Sequence, residues 1–287
     1  MPNSAPITSK SNARVKALRA SFSGIPSRHG DLLGIEGEHL IAEALRSGLT
    51  LQTIFLREGS ETLLHRPSLS ALTTRSGTLS PIVLSPDVFA SAVDTASPLG
   101  IAATLLIPSI SPPKPQPQST ALVLEALQDP GNLGTLIRSA EAFGAQQIFL
   151  TPDTVSPWNP KVVRASAGSV FRVPILRAPL QHIAAQLAEQ GTTVYAAVAQ
   201  LLHSTSLFNI HFAPHSALLI GNEGAGLTPA ALALAHHQVR IPCAVESLNA
   251  AIAGSTLLYE AQRQRASLQN ASPKGSSPLS ASPPLSL

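Results

Sequence analysis

Three short stretches concentrate the residue types that do chemistry. The first runs Asp129-Pro130-Gly131-Asn132-Leu133-Gly134 and on through Arg138 to Ala140. It sets an amide and a guanidinium six residues apart at the start of a helical pattern. The second is Leu219-Ile220-Gly221-Asn222-Glu223-Gly224-Ala225-Gly226, where three glycines specify a tight backbone that orients Glu223. Glu223 could then grip a guanidinium such as Arg138, or stand exposed in a capping turn. In the third, Val239 to Pro242 ends a strand and Ser247-Leu248-Asn249 opens a helix, with Ser247 as its expected N-cap. Short polar groups at a helix N-terminus suit anionic or polar ligands. None of the three is a GxGxxG fingerprint or a phosphate-cradling GxxxxGK[ST] loop, so a nucleotide-phosphate site gains no support.

Each stretch follows an apolar run, which places it at the edge of an open α/β sheet, where ligands bind. In the C-terminal half, strands are expected at 121–127, 147–150, 193–197, 217–220 and 239–241, and helices at 133–143, 180–189 and 248–265. This alternation predicts an α/β fold with a parallel sheet. The N-terminal half carries expected strands at 32–35, 51–56 and 81–84 and helices at 38–46 and 87–93, a small α/β unit suited to binding. Between them, residues 108–118 hold five prolines in eleven positions, a stiff extended connection. The expected organisation is a flexible tail 1–10, a binding domain 11–107, a linker 108–119, a second domain 120–267 and a disordered Ser/Pro-rich tail 268–287.

Composition narrows the function classes. The 287 residues carry a net charge of +3 and a single cysteine, Cys243, which excludes a disulfide framework and a cysteine-based zinc site. No apolar run is long enough to span a bilayer and the N-terminus lacks a signal-peptide core, so a soluble, cytoplasmic protein is expected. Residues 1–30 hold Lys10, Arg14, Lys16, Arg19 and Arg28 without a carboxylate, either a solvated arm or a phosphate-contacting one. His203, His211 and His215 lack the spacing of a ligand set, and no metal is expected. Cys243 is expected as a small buried hydrophobe, and Trp158 as a base-stacking or packing residue.

In order and content the three stretches resemble the three motifs of the SpoU (TrmH-like) branch of the SPOUT RNA methyltransferases. The likeness lies in Asn132-x-Gly134-x-x-x-Arg138-x-Ala140, in Gly221-x-Glu223-Gly224-x-Gly226, and in Ile241-Pro242 with Ser247-Leu248-Asn249 and the later Leu258-Tyr259-Glu260. The segment Asn159 to Gly168 is also similar to that family, and the segment between Pro242 and Ser247 is shorter than in many of its members. More weakly, Glu36-Gly37, Glu43-Ala44-Leu45 and Gly100-Ile101-Ala102 look like an RNA-binding domain resembling ribosomal protein L30e.

The resemblance implies a parallel sheet whose C-terminal part forms a deep trefoil knot, a rare exception to unknotted topology. It implies S-adenosylmethionine bound in the knot, largely by backbone groups, with Gly221, Ile241, Leu248, Leu219 and Asn222 lining the site. It implies a homodimer acting on a ribose 2′-hydroxyl of rRNA or tRNA, with rRNA favoured. Arg138 is the implied catalytic residue, supported by Asn132, Glu223, Ser247 and Asn249. A guanidinium stays protonated far above neutral pH, so stabilisation of a developing alkoxide suits Arg138 better than general-base work. Arg14, Lys16, Lys161 and Arg164 are the expected RNA contacts. The competing class is a non-catalytic RNA-binding assembly factor, which an intact Arg138, Asn132 and Glu223 argues against.

Overall fold

The computed structural model describes residues 5–23, 30–70, 72, 80–109, 111, 113–114, 116–199 and 204–271. Residues 272–287, where a disordered tail is expected, and His203 lie outside them. Among the described residues no helix is long and apolar enough to cross a membrane.

The N-terminal unit is built on α1 (Ala13–Ser23), β1 (Leu32–Glu36), α2 (Glu38–Arg46), β2 (Leu51–Arg57), β3 (Ile82–Leu84), α3 (Pro86–Ala92) and β4 (Ile101–Leu106). Its four-stranded sheet has the order β1-β4-β2-β3, with β4 antiparallel to both neighbours. Helix α2 buries Leu40, Ile41, Ala44 and Leu45, a helical-period stripe facing the sheet. On the other face Val15, Leu18 and Phe22 of α1 pack with Val88 and Phe89 of α3. A flexible tail is expected over 1–10; residues 1–4 lie outside the described residues, and residues 5–10 are tied to the sheet. Ile7 donates its N–H to the Val83 carbonyl at 2.9 Å and accepts from Ser85 N–H at 3.0 Å, so this segment extends the sheet edge beside β3.

The C-terminal unit comprises β5 (Ser119–Leu124), α4 (Pro130–Ala142), β6 (Gln147–Leu150), α5 (Pro160–Ala165), β7 (Ile175–Arg177), α6 (Leu180–Glu189), β8 (Thr193–Ala197), β9 (Thr205–Ser206), β10 (His215–Ile220), α7 (Pro229–Leu232), β11 (His237–Arg240) and α8 (Ala250–Ala271). Its strands form one parallel seven-stranded sheet, ordered β7-β6-β5-β10-β8-β11-β9. Strand side chains alternate between faces. Val123, Phe149, Val194 and Leu219 meet Ile183 and Leu187 of α6 on one side. Leu122, Leu124, Ile148, Leu218 and Ile220 meet Leu133, Leu136, Leu257 and Leu258 of α4 and α8 on the other. Burial on both faces explains why these strands read as continuous apolar runs.

Three helices begin with the same device: a short polar cap followed by proline in the first turn. Asp129, Asn159 and Thr228 each accept a backbone N–H, from Asn132 at 2.7 Å, Lys161 at 2.9 Å and Ala231 at 3.1 Å. Proline there loses no helix hydrogen bond and arrives with its φ already set. The Asp129 cap starts α4 at Pro130, three residues earlier than the apolar pattern alone predicts. Gly134 then lets α5 lie against α4. A Cβ at this position would meet the Ala165 Cβ at 2.4 Å and the Val162 carbonyl oxygen at 2.8 Å.

Candidate functional site

The second and third motifs meet at the C-terminal ends of β8, β10 and β11, and the first, which follows β5, is bonded to them through Asn132. A cleft of about 490 Å³ opens there, lined by Ile220, Gly221, Asn222, Val239, Ile241, Pro242, Ser247 and Leu248 among others. Its size suits a small-molecule ligand, and its walls alternate apolar side chains with polar groups.

The loop after β10 is a tight return. Asn222 and Gly226 exchange backbone hydrogen bonds at 3.0 Å in both directions. The Asn222 side chain completes it, accepting from Gly224 and Ala225 N–H and donating to the Ala126 carbonyl at 2.8 Å. Gly221 is required by contact, because a Cβ there would meet the Gly226 carbonyl carbon at 2.4 Å and the Leu227 nitrogen at 2.5 Å. Ala126 holds a positive φ of 52°, strained for a residue with a Cβ, and its N–H is fixed by Thr151 Oγ1 at 3.0 Å.

Asn132 is the hub that joins the motifs. Its Nδ2 donates to Glu223 Oε1 at 3.0 Å, and its Oδ1 accepts from Asn249 Nδ2 at 2.9 Å. Glu223 also accepts the backbone N–H of Asp129 at 3.2 Å and of Gln128 at 3.4 Å. Burial pushes the Glu223 carboxyl up, but donation from Asn132 and from the backbone of Glu223, Asp129 and Gln128 outweighs it. The group is held below its ordinary value of 4.5. Asn249 caps α8, accepting from Ala251 N–H at 2.9 Å and Ile252 N–H at 3.2 Å. It takes the capping place expected for Ser247, which instead lines the cleft as an exposed residue.

Several expected placements differ. Glu223 does not hold Arg138; its oxygens are taken by the backbone N–H groups of Gln128 and Asp129, just before α4, and by Asn132. Arg138 stands exposed on the outer face of α4, with no hydrogen bond or ion pair among the described residues, and it does not line the cleft. Leu219 does not line it either. Strand alternation turns Leu219 to the opposite face of the sheet, into a cavity of about 690 Å³ beside Ile183 and Leu187, and presents Ile220 to the cleft. Cys243 is exposed at the cleft rim rather than buried, with Sγ toward the Val245 carbonyl. Arg164 is engaged by Asp94 at 2.9 Å, which removes it as a free phosphate contact. Arg14, Lys16 and Lys161 are exposed. Trp158 is packed in the core, and His215 is bonded to Ser119 Oγ.

One supporting residue escaped the sequence. Glu125, nearly buried at the end of β5, accepts from Thr228 N–H at 2.9 Å and Oγ1 at 2.7 Å, fixing the far end of the glycine loop. Thr228-Pro229 has the form of a capped helix start, but nothing local names its partner 103 residues away.

The same architecture recurs in known proteins. A family model described as the SpoU rRNA Methylase family matches residues 119–259, which contain all three motifs. An uncharacterized tRNA/rRNA methyltransferase of Synechocystis is 38% identical, over 91% of this chain and 94% of its own length. The 23S rRNA (guanosine-2′-O)-methyltransferase RlmP of Bacillus subtilis is 32% identical, over 88% and 97%. Among solved structures, the AdoMet-bound rRNA methyltransferase from Sinorhizobium meliloti superposes with a TM-score of 0.74 at 30% identity, covering 90% of this chain and 97% of that one. AviRb of Streptomyces viridochromogenes, a SpoU methyltransferase in complex with AdoMet, gives 0.75 at 26% identity, covering 89% and 99%. With its three motifs bonded together beside one cleft and likeness running almost end to end, the chain belongs to the SpoU rRNA methylase family.

Proposed function

We propose that this protein transfers a methyl group from S-adenosylmethionine to a ribose 2′-hydroxyl of rRNA, 23S-type rather than tRNA. The observation that carries this reading is the Asn132 hub, which ties all three SpoU motifs together beside a backbone-lined cleft. Gly221, Asn222, Ile241 and Leu248 would hold the methyl donor, and the absence of a phosphate loop fits a cofactor without phosphates. Once bound there, S-adenosylmethionine supplies an electrophilic sulfonium methyl group. The ribose oxygen gains a carbon bond as the sulfur–methyl bond breaks, and its proton must leave. Arg138 stabilises the forming alkoxide and grips the adjacent phosphate, which accepts the proton. Asn132, Glu223, Ser247 and Asn249 hold the constellation.

The N-terminal unit, which we read as an L30e-like RNA-binding domain over 11–107, offers Arg14 and Lys16 to the RNA, and Lys161 adds a contact from the second domain, 120–267, beyond the linker 108–119. We place the trefoil knot around the cleft, and the working form as a cytoplasmic homodimer. Ile252 and Tyr259 support the dimer, being 56% and 55% exposed on one face of α8. Tyr259 stacks edge-on against Phe143 at the end of α4, the helix that presents Arg138 outward. Exposed apolar groups clustered this way mark a contact surface. Ile252→Glu is expected to sediment as a monomer and to lose transfer; a dimeric Ile252→Glu variant would refute this contact.

The function is tested with tritiated S-adenosylmethionine and transcripts of 23S rRNA and tRNA. Label is expected at one nucleotide of the 23S transcript, whose 3′ phosphodiester becomes resistant to alkali because the 2′-oxygen is blocked. No label on any RNA, or label on a base, would overturn it.

A further inference from the structure

Arg172 sits where the two domains meet, just after the 3₁₀ turn Ser169–Phe171. Its Nη1 donates to Glu43 Oε2 at 2.7 Å and to Ser47 Oγ at 3.0 Å, in α2 and the residue that ends it. Its Nε and Nη2 both reach the Glu141 carboxylate, Nη2 at 2.9 Å. Glu141 lies on α4, three residues past Arg138. One guanidinium thus grips a helix of the N-terminal domain and the helix that carries both Asn132 and Arg138.

The surroundings are built around that grip. Gly168 has φ of 90°, and a Cβ there would meet the Glu43 Cβ at 2.5 Å, so only glycine lets the α5 turn come this close to α2. Burial raises the Glu43 carboxyl, but hydrogen bonding and charge from Arg172 and Arg46 outweigh it and leave it below its ordinary value. Arg172 hydrogen bonding dominates at Glu141, which is also lowered. A second cross-domain pair, Arg164 with Asp94, has the same polarity: the cation belongs to the C-terminal domain and the anion to the N-terminal one. The apolar core runs continuously through both domains. Apolar adhesion is non-directional, whereas a guanidinium bonded on several edges fixes an angle.

We propose that Arg172 is a positioning residue that sets the angle between the N-terminal domain and α4, so that RNA held by the first domain is presented in register with Arg138. This rests on the reading of the N-terminal domain as the RNA-binding one. A partly exposed ion pair adds little to stability, so its role lies in geometry, where a displacement of about 1 Å can cost a hundredfold in rate.

The test uses the full chain with Arg172→Gln, Glu43→Gln, the double variant and Arg172→Lys. Four quantities are measured: kcat/KM on a 23S rRNA transcript, S-adenosylmethionine affinity by calorimetry, melting temperature, and the small-angle scattering profile. Arg172→Gln is expected to lose about tenfold or more in kcat/KM, with cofactor affinity within about twofold, an unchanged melting temperature and a larger radius of gyration. Glu43→Gln is expected to lose less, because Ser47 Oγ and the new amide oxygen still accept from Arg172 across the domains. The double variant is expected to add nothing to Arg172→Gln, since both substitutions break one link. Arg172→Lys is expected to recover part of the loss, because the charge returns without the fork. Unchanged kcat/KM, additive losses, or an equal fall in cofactor affinity would overturn the proposal. If the wild type labels no rRNA, the functional reading fails on its own, and an unchanged scattering profile in Arg172→Gln would still sink the positioning role.

Discussion

Arg138→Ala is expected to lower methyl transfer by about a hundred- to a thousandfold while S-adenosylmethionine binds within about twofold of its wild-type affinity. The physical basis is an unusual idleness. Arg138 is exposed and, among the described residues, makes no hydrogen bond or ion pair, while the neighbouring Arg172 is fully engaged. A guanidinium with no structural task can be removed at little cost to folding, about 0.5 kcal/mol or less for such a surface site. A loss of rate without a loss of melting temperature would therefore report on the reaction alone. Arg138→Lys should fall between, because a point charge stabilises an alkoxide but cannot also clasp a phosphate with a planar fork. Since Arg138 does not line the cleft of its own chain, mixing Arg138→Ala subunits with subunits defective in cofactor binding distinguishes two geometries. Recovered activity would mean that the arginine of one copy serves the cleft of the other. Single-turnover kinetics decides the main point: transfer within about threefold of wild type in Arg138→Ala would remove the residue from the reaction.

The second large effect is expected at Asn132, and it distinguishes an amide from a carboxylate. Asn132 donates to Glu223 with one atom and accepts from Asn249 with the other. Asn132→Ala leaves both partners short of a bond, and about a hundredfold loss in kcat/KM is expected from misaligned loops. Asn132→Asp is expected to be worse at pH 8, because a second carboxylate would then sit where Nδ2 approaches Glu223 at 3.0 Å, and two carboxylates that close cannot both ionise. The pH dependence follows with opposite signs. In the wild type the Glu223 carboxyl is held below its ordinary 4.5. Its contribution is therefore present above that ordinary value and is lost as pH falls through the lowered one. In Asn132→Asp the shared proton raises one carboxyl, so stability is greatest in acid and is lost as pH rises through the raised value. Cofactor affinity measured from about pH 5 to 8.5 should thus climb toward acid in Asn132→Asp only. A profile parallel to the wild type would show that the two side chains do not face each other in solution.

Much of the fold was legible because it depends on local pattern. The expected helices 38–46 and 180–189 and strands 147–150 and 193–197 coincide with α2, α6, β6 and β8. Helix α1 was missed although Val15, Leu18 and Phe22 recur at helical spacing; Lys16 and Arg19 between them read as part of a basic arm, solvated or phosphate-contacting. Strand β4, Ile101–Leu106, was missed because its first five residues are all buried, with helices on both faces of the sheet, which leaves no alternation to betray it. Strand β9 is two residues long, below what any periodicity can signal. At the site, residue types and order were enough to name Asn132, Glu223 and Asn249. Who bonds whom was not, because those partnerships span 91 and 117 residues. Arg164 shows the same limit: its basicity was visible, but Asp94, 70 residues earlier, was not visible as its partner.

The return loop at Gly221 has a consequence for how such an enzyme could be altered. With the Gly226 backbone 2.4 Å from where a first side-chain atom would go, the cleft wall at Gly221 cannot be recontoured by substitution. Cys243, Val245, Glu246 and Ser247 form the opposite rim with exposed side chains. Any drift toward bulkier donor analogues, natural or engineered, has its room on that rim, and substitutions at Gly221 itself would return unfolded or inert chains.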